Sequence, residues 1–303
     1  PEQAGVSNTT VTMNAASMNN SGFEFSATYR NRDRDFKYEL SANLSTLRNR
    51  VTSLGFGTDS YISGAYITNV GQEIGQFYGW AYEGIARTQE DLDNHATQEG
   101  AQIGDCLYKD ISGPDGKPDG KVDANDQVVL GSGMPKIHFG LNARFEYKRF
   151  DLSIATFGAL NYHVSDDIYN SLNSCYGWGN KEVGMLDANR FSEDGSTYLS
   201  NVPRTYVTNS ASLGWNDLFS SRKIQNAAYW KIANVELGYN FPNEWFGKYV
   251  SDVRFYVSAQ NLHTFTGYHG YNVDYAGGTF TPGYNFCSYP TARTFMCGVH
   301  FTF

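Results

Sequence analysis

The feature that most constrains this chain is a strict two-residue alternation from Ile137 to Arg149. Ile137, Phe139, Leu141, Ala143, Phe145 and Tyr147 take one set of positions, and His138, Gly140, Asn142, Arg144, Glu146 and Lys148 take the other. Side chains of an extended strand point alternately to opposite faces, so these two sets line opposite sides of a sheet. A helix would scatter Arg144, Glu146 and Lys148 around its circumference. The run is also longer than the about 5–6 residues of an ordinary soluble strand, and it suits a tilted strand long enough to cross a bilayer.

The same pattern returns in Phe23, Phe25, Ala27 and Tyr29, and in Phe36, Tyr38, Leu40, Ala42 and Leu44. It resumes at Phe150 after a turn at Lys148-Arg149. It appears again in Ala233, Val235, Leu237, Tyr239 and Phe241, then in Val253, Phe255, Val257 and Ala259, and finally in Phe295, Cys297, Val299, Phe301 and Phe303. With shorter segments at 64–71 and 74–84, hinged near Gly71, about eight to ten strands are expected. Aromatic residues make up 16% of the chain, a composition that favours pleated surfaces.

The connections alternate between tight ones (31–35, 148–149, 242–251) and long ones (49–63, 85–135, 163–228, 264–292). Compact soluble domains seldom carry structureless loops of that length, whereas outer-membrane barrels combine short turns on one side with long external loops on the other. The chain has no run of about 18 apolar residues that would make a membrane helix, and barrel strands do not need one. A net charge of −8 without a basic block excludes nucleic acid as an expected partner. Cys106, Cys175, Cys287 and Cys297 lack metal-finger spacing. Cys297 falls in a strand, and the other three are expected in loops, where a disulfide is open to them. No HExxH pair or G-x-S-x-G elbow occurs, so enzymatic chemistry is not expected.

Several segments resemble the SusC/RagA class of TonB-dependent transporters of Bacteroidetes. They are Asn20-Ser21-Gly22-Phe23-Glu24; Gly75-Gln76-Phe77-Tyr78-Gly79-Trp80 with Glu83-Gly84-Ile85; Tyr108-Lys109-Asp110 with Asp119-Gly120-Lys121-Val122-Asp123-Ala124-Asn125-Asp126; Asn234-Val235-Glu236-Leu237-Gly238-Tyr239; and Tyr256-Val257-Ser258-Ala259-Gln260-Asn261-Leu262. The resemblance spans residues 20–303, apart from an insertion at 111–118 in the acidic loop. It implies an all-β fold: an antiparallel transmembrane β-barrel of about 22 strands with long extracellular loops. Residues 1–303 would be the C-terminal portion, without plug domain or N-terminal strands. The resemblance further implies TonB-dependent import of a glycan or oligopeptide across the outer membrane of a Gram-negative bacterium. A SusD-like lipoprotein would act as a lid, TonB would supply energy, and lipid or lipopolysaccharide would surround the wall. A self-contained small barrel (pore or barrel enzyme) and a soluble calcium-dependent glycan-binding β domain stand as alternatives.

Two constellations could serve binding. Asp115, Asp119 and Asp126, with Asp110 or Asp123, have spacing close to a calcium loop, although Lys117 occupies a ligand position and Asp126 replaces the usual Glu. A structural calcium is one reading of this loop and an exposed, metal-free solvated turn is the other; no cofactor is required. Aromatics crowd two long loops: Tyr176, Trp178 and Trp215 in one, Tyr268, Tyr271 and Tyr275 in the other. Flat amphipathic rings suit contacts to a substrate or a lid, and equally suit packing of the loops on themselves.

Overall fold

The computed structural model describes residues 16–175, 179–205, 214–246, 250–274 and 277–303. Seven long strands form its main sheet: β1 (Glu24–Asn31), β2 (Phe36–Thr46), β3 (Ile137–Tyr147), β4 (Phe150–Leu160), β5 (Tyr229–Asn240), β6 (Asp252–Thr266) and β7 (Thr294–Thr302). Their order across the sheet is their order along the chain. Every neighbouring pair is antiparallel. Such a meander places every short connection at one end and the spans 47–136, 161–228 and 267–293 at the other, as the alternation of loop lengths predicts. Among the described residues β1 and β7 are the two edges of the sheet and do not pair with each other.

Register sorts the side chains. Tyr29, Leu40, Ala143, Ile154, Val235, Ala259 and Phe295 are cross-strand partners in a single apolar row over all seven strands. Thr28, Ser41, Asn142, Ala155, Asn234, Gln260 and Thr294 form a row on the opposite face. On the apolar face Leu141, Leu237, Phe255, Val257, Val299 and Phe301 are exposed. An apolar surface of this extent cannot be left to water and needs a covering medium or partner.

Aromatic rows bound that face. At the short-turn end Phe36, Tyr147, Phe150, Tyr239 and Phe255 are register partners across β2 to β6, and the rings of Phe150 and Tyr239 lie 4.8 Å apart. Towards the long loops Phe25, Leu44, Phe139, Gly158, Trp230 and Phe265 share another row, with Trp230 and Phe265 stacked at 5.3 Å. Gly158 leaves room for the Phe139 ring, which a Cβ there would meet at 2.5 Å. The eight steps from Phe139 to Tyr147 span about 27 Å along the strand, or about 20 Å along a barrel axis at the usual tilt, close to the apolar band of membrane barrels.

Three expectations need correction. The segments at 64–71 and 74–84 are not wall strands: Tyr66–Asn69 and Gln76–Trp80 join Ser60–Ser63 and Gln127–Ser132 in a separate four-stranded sheet within the loop layer. The main sheet therefore has seven long strands rather than eight to ten. The alternation also slips near Ala233, where the register against both neighbours shifts. Asn261, at φ 52°, sits at the matching irregularity in β6, a left-handed conformation that Asn adopts more readily than most residues. The slip moves Ile232 and Trp230, in place of Ala233, to the apolar side. Finally, Cys106 opens a short strand, Cys106–Tyr108, and all four cysteines are free thiols.

The loop layer has its own cores. Cys106, Tyr108 and Val122 are buried against Trp80, Tyr82, Ala96, Trp215 and Leu218. Ala159, Tyr162, Val164, Ala227, Tyr229, Tyr268 and Val273 form a second cluster where the loops meet the wall.

Candidate functional site: the polar wall and the loop layer

The polar face of the wall carries an ionic cluster across three adjacent strands. Arg254 of β6 donates from Nε to Asp151 Oδ1 of β4 at 3.0 Å and from a terminal nitrogen to Oδ2 at 2.5 Å. It also reaches Glu236 Oε1 of β5 at 2.7 Å. Asp151 and Arg254 are not on neighbouring strands; the side chain passes over Gly238. A Cβ at Gly238 would lie 2.4 Å from the guanidinium and 2.5 Å from Asp151 Oδ1, which is why glycine stands in the Asn234–Tyr239 motif. Gly238→Ala is expected to destabilise the folded protein by about 1–3 kcal/mol through overpacking; guanidinium titration of the lipid-inserted protein measures it. Glu39 adds a pair with Arg30 at 2.8 Å. His138 and His300 also lie in register with this face, beside Ser45 and Arg254 respectively.

The acidic loop is held together by hydrogen bonds from backbone amides. Among the described residues no three carboxylate, imidazole or thiolate groups come together as a metal site. The carboxylates accept backbone amides instead. Asp126, fully buried, accepts from Ile111 N at 2.7 Å, Ser112 N at 2.9 Å and Asp123 N at 2.7 Å. Asp110 accepts from Asp119 N and Gly120 N, Asp119 from Lys121 N, and Asp123 from Asn125 N. Asp115 is exposed. Gly116 and Gly120 supply the left-handed turns, at φ 72° and 82°. The charge repulsion that suggested an ion is relieved by amide dipoles.

Burial works to raise the pKa of Asp126, but the amides of Ser112, Asp123 and Ile111 outweigh it and hold the carboxyl below its ordinary range. A depressed folded-state pKa contributes stability above the unfolded value and loses it as pH falls through the folded one. The loop should therefore stay anchored at neutral pH and loosen only in acid, below about pH 4. Limited proteolysis of the full-length protein is the check: Asp126→Ala should expose sites within 110–126, with a local loss of about 1.5–3 kcal/mol, while a chelator should leave the digestion pattern unchanged.

A second buried carboxylate ties distant loops together. Asp105 receives Arg204 in a bidentate pair, at 2.5 and 3.0 Å, Asn216 Nδ2 at 2.8 Å and Gln102 N at 2.9 Å. Asn216 Oδ1 accepts the Cys106 amide at 2.7 Å. Burial pushes the Cys106 thiol up to about 12 and that of Cys175 up to about 11, so both remain protonated.

Of the loop aromatics, Tyr176, Trp178 and Tyr275 lie outside the described residues. Tyr268 is corrected from a contact residue to a core residue: it is buried, donates its hydroxyl to the Asp166 carboxylate and accepts from Asn285 Nδ2 at 2.9 Å. Tyr271 is exposed. Trp215 is half-buried and lines a cleft of about 450 Å³ together with Trp80, Glu99, Asp123 and Leu218. Sequence reading missed Trp80 as a site residue because it ends an ordinary strand, and missed Asp105 because its partner lies 99 positions away.

A sheet of this order, with one apolar and one polar face and all long loops at one end, is the wall of an antiparallel β-barrel. Relatives agree. The chain is 30% identical over 322 residues to TonB-dependent receptor P3 of Formosa agariphila, covering 100% of this chain and 30% of that protein. It is 25% identical to TonB-dependent receptor SusC of Bacteroides thetaiotaomicron, over 98% of this chain and 27% of that one. The solved structure of the RagAB peptide transporter superposes with a TM-score of 0.73 at 21% identity, over 94% of this chain and 29% of that one. No protein-family profile matches the chain. Along its whole length the chain is similar to TonB-dependent receptors, SusC among them, and it spans about three tenths of the length of the curated relatives it matches.

Proposed function

We propose that the chain forms part of the wall of an outer-membrane importer, with its apolar face against lipid and its polar face lining the interior. The observation that carries this reading is the separation of an apolar from a polar face across the seven strands, with aromatic rows at both margins of the apolar one. The free edges of β1 and β7 would pair with further strands of a longer polypeptide, since unpaired backbone does not persist in lipid. By likeness to SusC and RagAB, the whole protein would draw on TonB, close with a SusD-like lipoprotein over the long loops and take up an oligosaccharide or oligopeptide in a Gram-negative bacterium. Tyr271 and Trp215 would then be contacts of the loop layer with substrate or lid.

Uptake of labelled oligopeptides and oligosaccharides by cells with and without the protein is the test, repeated with TonB inactivated. Import should vanish in both deficient strains. Uptake that persists without TonB would favour a passive pore instead.

A further inference from the structure

We propose that the cleft between Trp80 and Trp215 binds an organic cation, the ammonium or guanidinium side chain of a basic peptide residue. The proposal rests on the import reading and narrows its substrate class.

Recognition chemistry leads there. Each indole N–H is already donated to the backbone, Trp80 to Asp123 O at 3.1 Å and Trp215 to Glu99 O at 2.9 Å. What the indoles have left to offer a ligand is their π-surface, and indole is the aromatic ring that attracts cations best. The remaining lining residues are Glu99, Gly100, Asp123, Ala124, Gly214 and Leu218. Their only ionisable side chains are carboxylates, and none of them carries a side-chain donor. A neutral sugar presents hydroxyls that donate and accept in equal measure, so its recognition draws on protein donors that these side chains lack. A cation needs only acceptors and aromatic faces, and both are present.

The rings are also fixed in advance. Trp80 ends the strand Gln76–Trp80 and donates its backbone N–H to Phe219 O at 3.1 Å. Behind Trp215 stands buried Tyr108, its ring 6.3 Å away and its hydroxyl donated to the Trp215 carbonyl at 2.5 Å. Rigid aromatics lose little entropy on binding. The cleft's volume of about 450 Å³ admits one long side chain with part of its backbone.

Calorimetry on the full-length protein in detergent tests this with acetyl-Gly-Arg-Gly-amide, its citrulline isostere, spermidine and maltotriose. The arginyl peptide should bind at least about tenfold more tightly than the uncharged citrulline peptide, and Glu99→Gln should weaken it about fivefold. Glu99 is exposed, and the substitution keeps the carbonyl that holds Trp215, so the fold is left intact. Trp215→Leu should abolish the preference for arginine over citrulline. Equal binding of the two peptides, binding of maltotriose alone, or indifference to Glu99→Gln would overturn the proposal. Response to spermidine without response to the arginyl peptide would reject a peptide-borne cation. Import measured in the same strains separates the two readings: intact TonB-dependent uptake with no cation preference sinks this inference only, and loss of TonB dependence sinks the import reading while binding can still be measured.

Discussion

Leu141→Arg is expected to destabilise the membrane-inserted protein by about 2–4 kcal/mol, whereas Asn142→Arg one residue away should change stability by less than about 1 kcal/mol. Leu141 lies midway along β3 on the apolar face, paired with Ala42 and Thr156, and is exposed there. An arginine placed at that depth would have to bend out of the hydrocarbon or draw water in. Asn142 faces the other way, between Ser41 and Ala155, beside a face that already carries Arg144, Glu39 and Arg254. Reversible unfolding in lipid vesicles measures both variants. Equal penalties at the two positions would mean that the faces do not differ in environment.

The second large effect is expected at Asp105. Asp105→Ala removes an almost fully buried carboxylate that accepts from Arg204, Asn216 and Gln102. Breaking a buried pair from one side leaves its partner charge uncompensated, at a cost of about 3–5 kcal/mol. Here the cost falls on the loop layer, because this knot of hydrogen bonds joins segments near 105, 204 and 216. Hydrogen exchange of the full-length protein should show loss of protection at Cys106, whose amide depends on Asn216, with β3 to β6 unaffected. Replacing Asp105 and Arg204 together should cost less than the sum of the single changes. Strict additivity would show that the pair contributes nothing as a pair.

The wall was legible because a strand writes its two faces into neighbouring residues. Ile137 to Tyr147 needs no distant information to show which side Phe139 takes, and the whole Asn234–Tyr239 motif reads the same way. Reading failed where the chain departs from that local grammar. A one-residue slip at Ala233 leaves composition unchanged yet reverses every face beyond it. The strands at 66–69 and 76–80 have the periodicity of wall strands, and only the pairing of 76–80 with Gln127–Ser132 and of 66–69 with Ser60–Ser63 and 76–80 assigns them to the loop layer. In the acidic loop, carboxylate spacing is the same whether the acceptors serve an ion or backbone amides, and the amide geometry around Asp126 is a property of the fold. Tyr268 looked like a contact residue because it is one of several rings crowding a long loop, and its partner Asp166 lies 102 positions earlier. Sequence shows that such rings are numerous without showing which of them the loops consume.

The central claim is that one face of the sheet meets lipid and the other an aqueous interior. Nitroxide side chains introduced singly at 139 to 146, in full-length protein with the exposed Cys287 and Cys297 replaced, report their surroundings through collision with oxygen, which concentrates in lipid, and with a water-soluble nickel chelate. Positions 139, 141, 143 and 145 should collide with oxygen and be shielded from nickel, positions 140, 142, 144 and 146 should show the reverse, and the two profiles should run out of phase with a period of two residues. Profiles that run in phase, or nickel access equal at Leu141 and Asn142, would contradict the account.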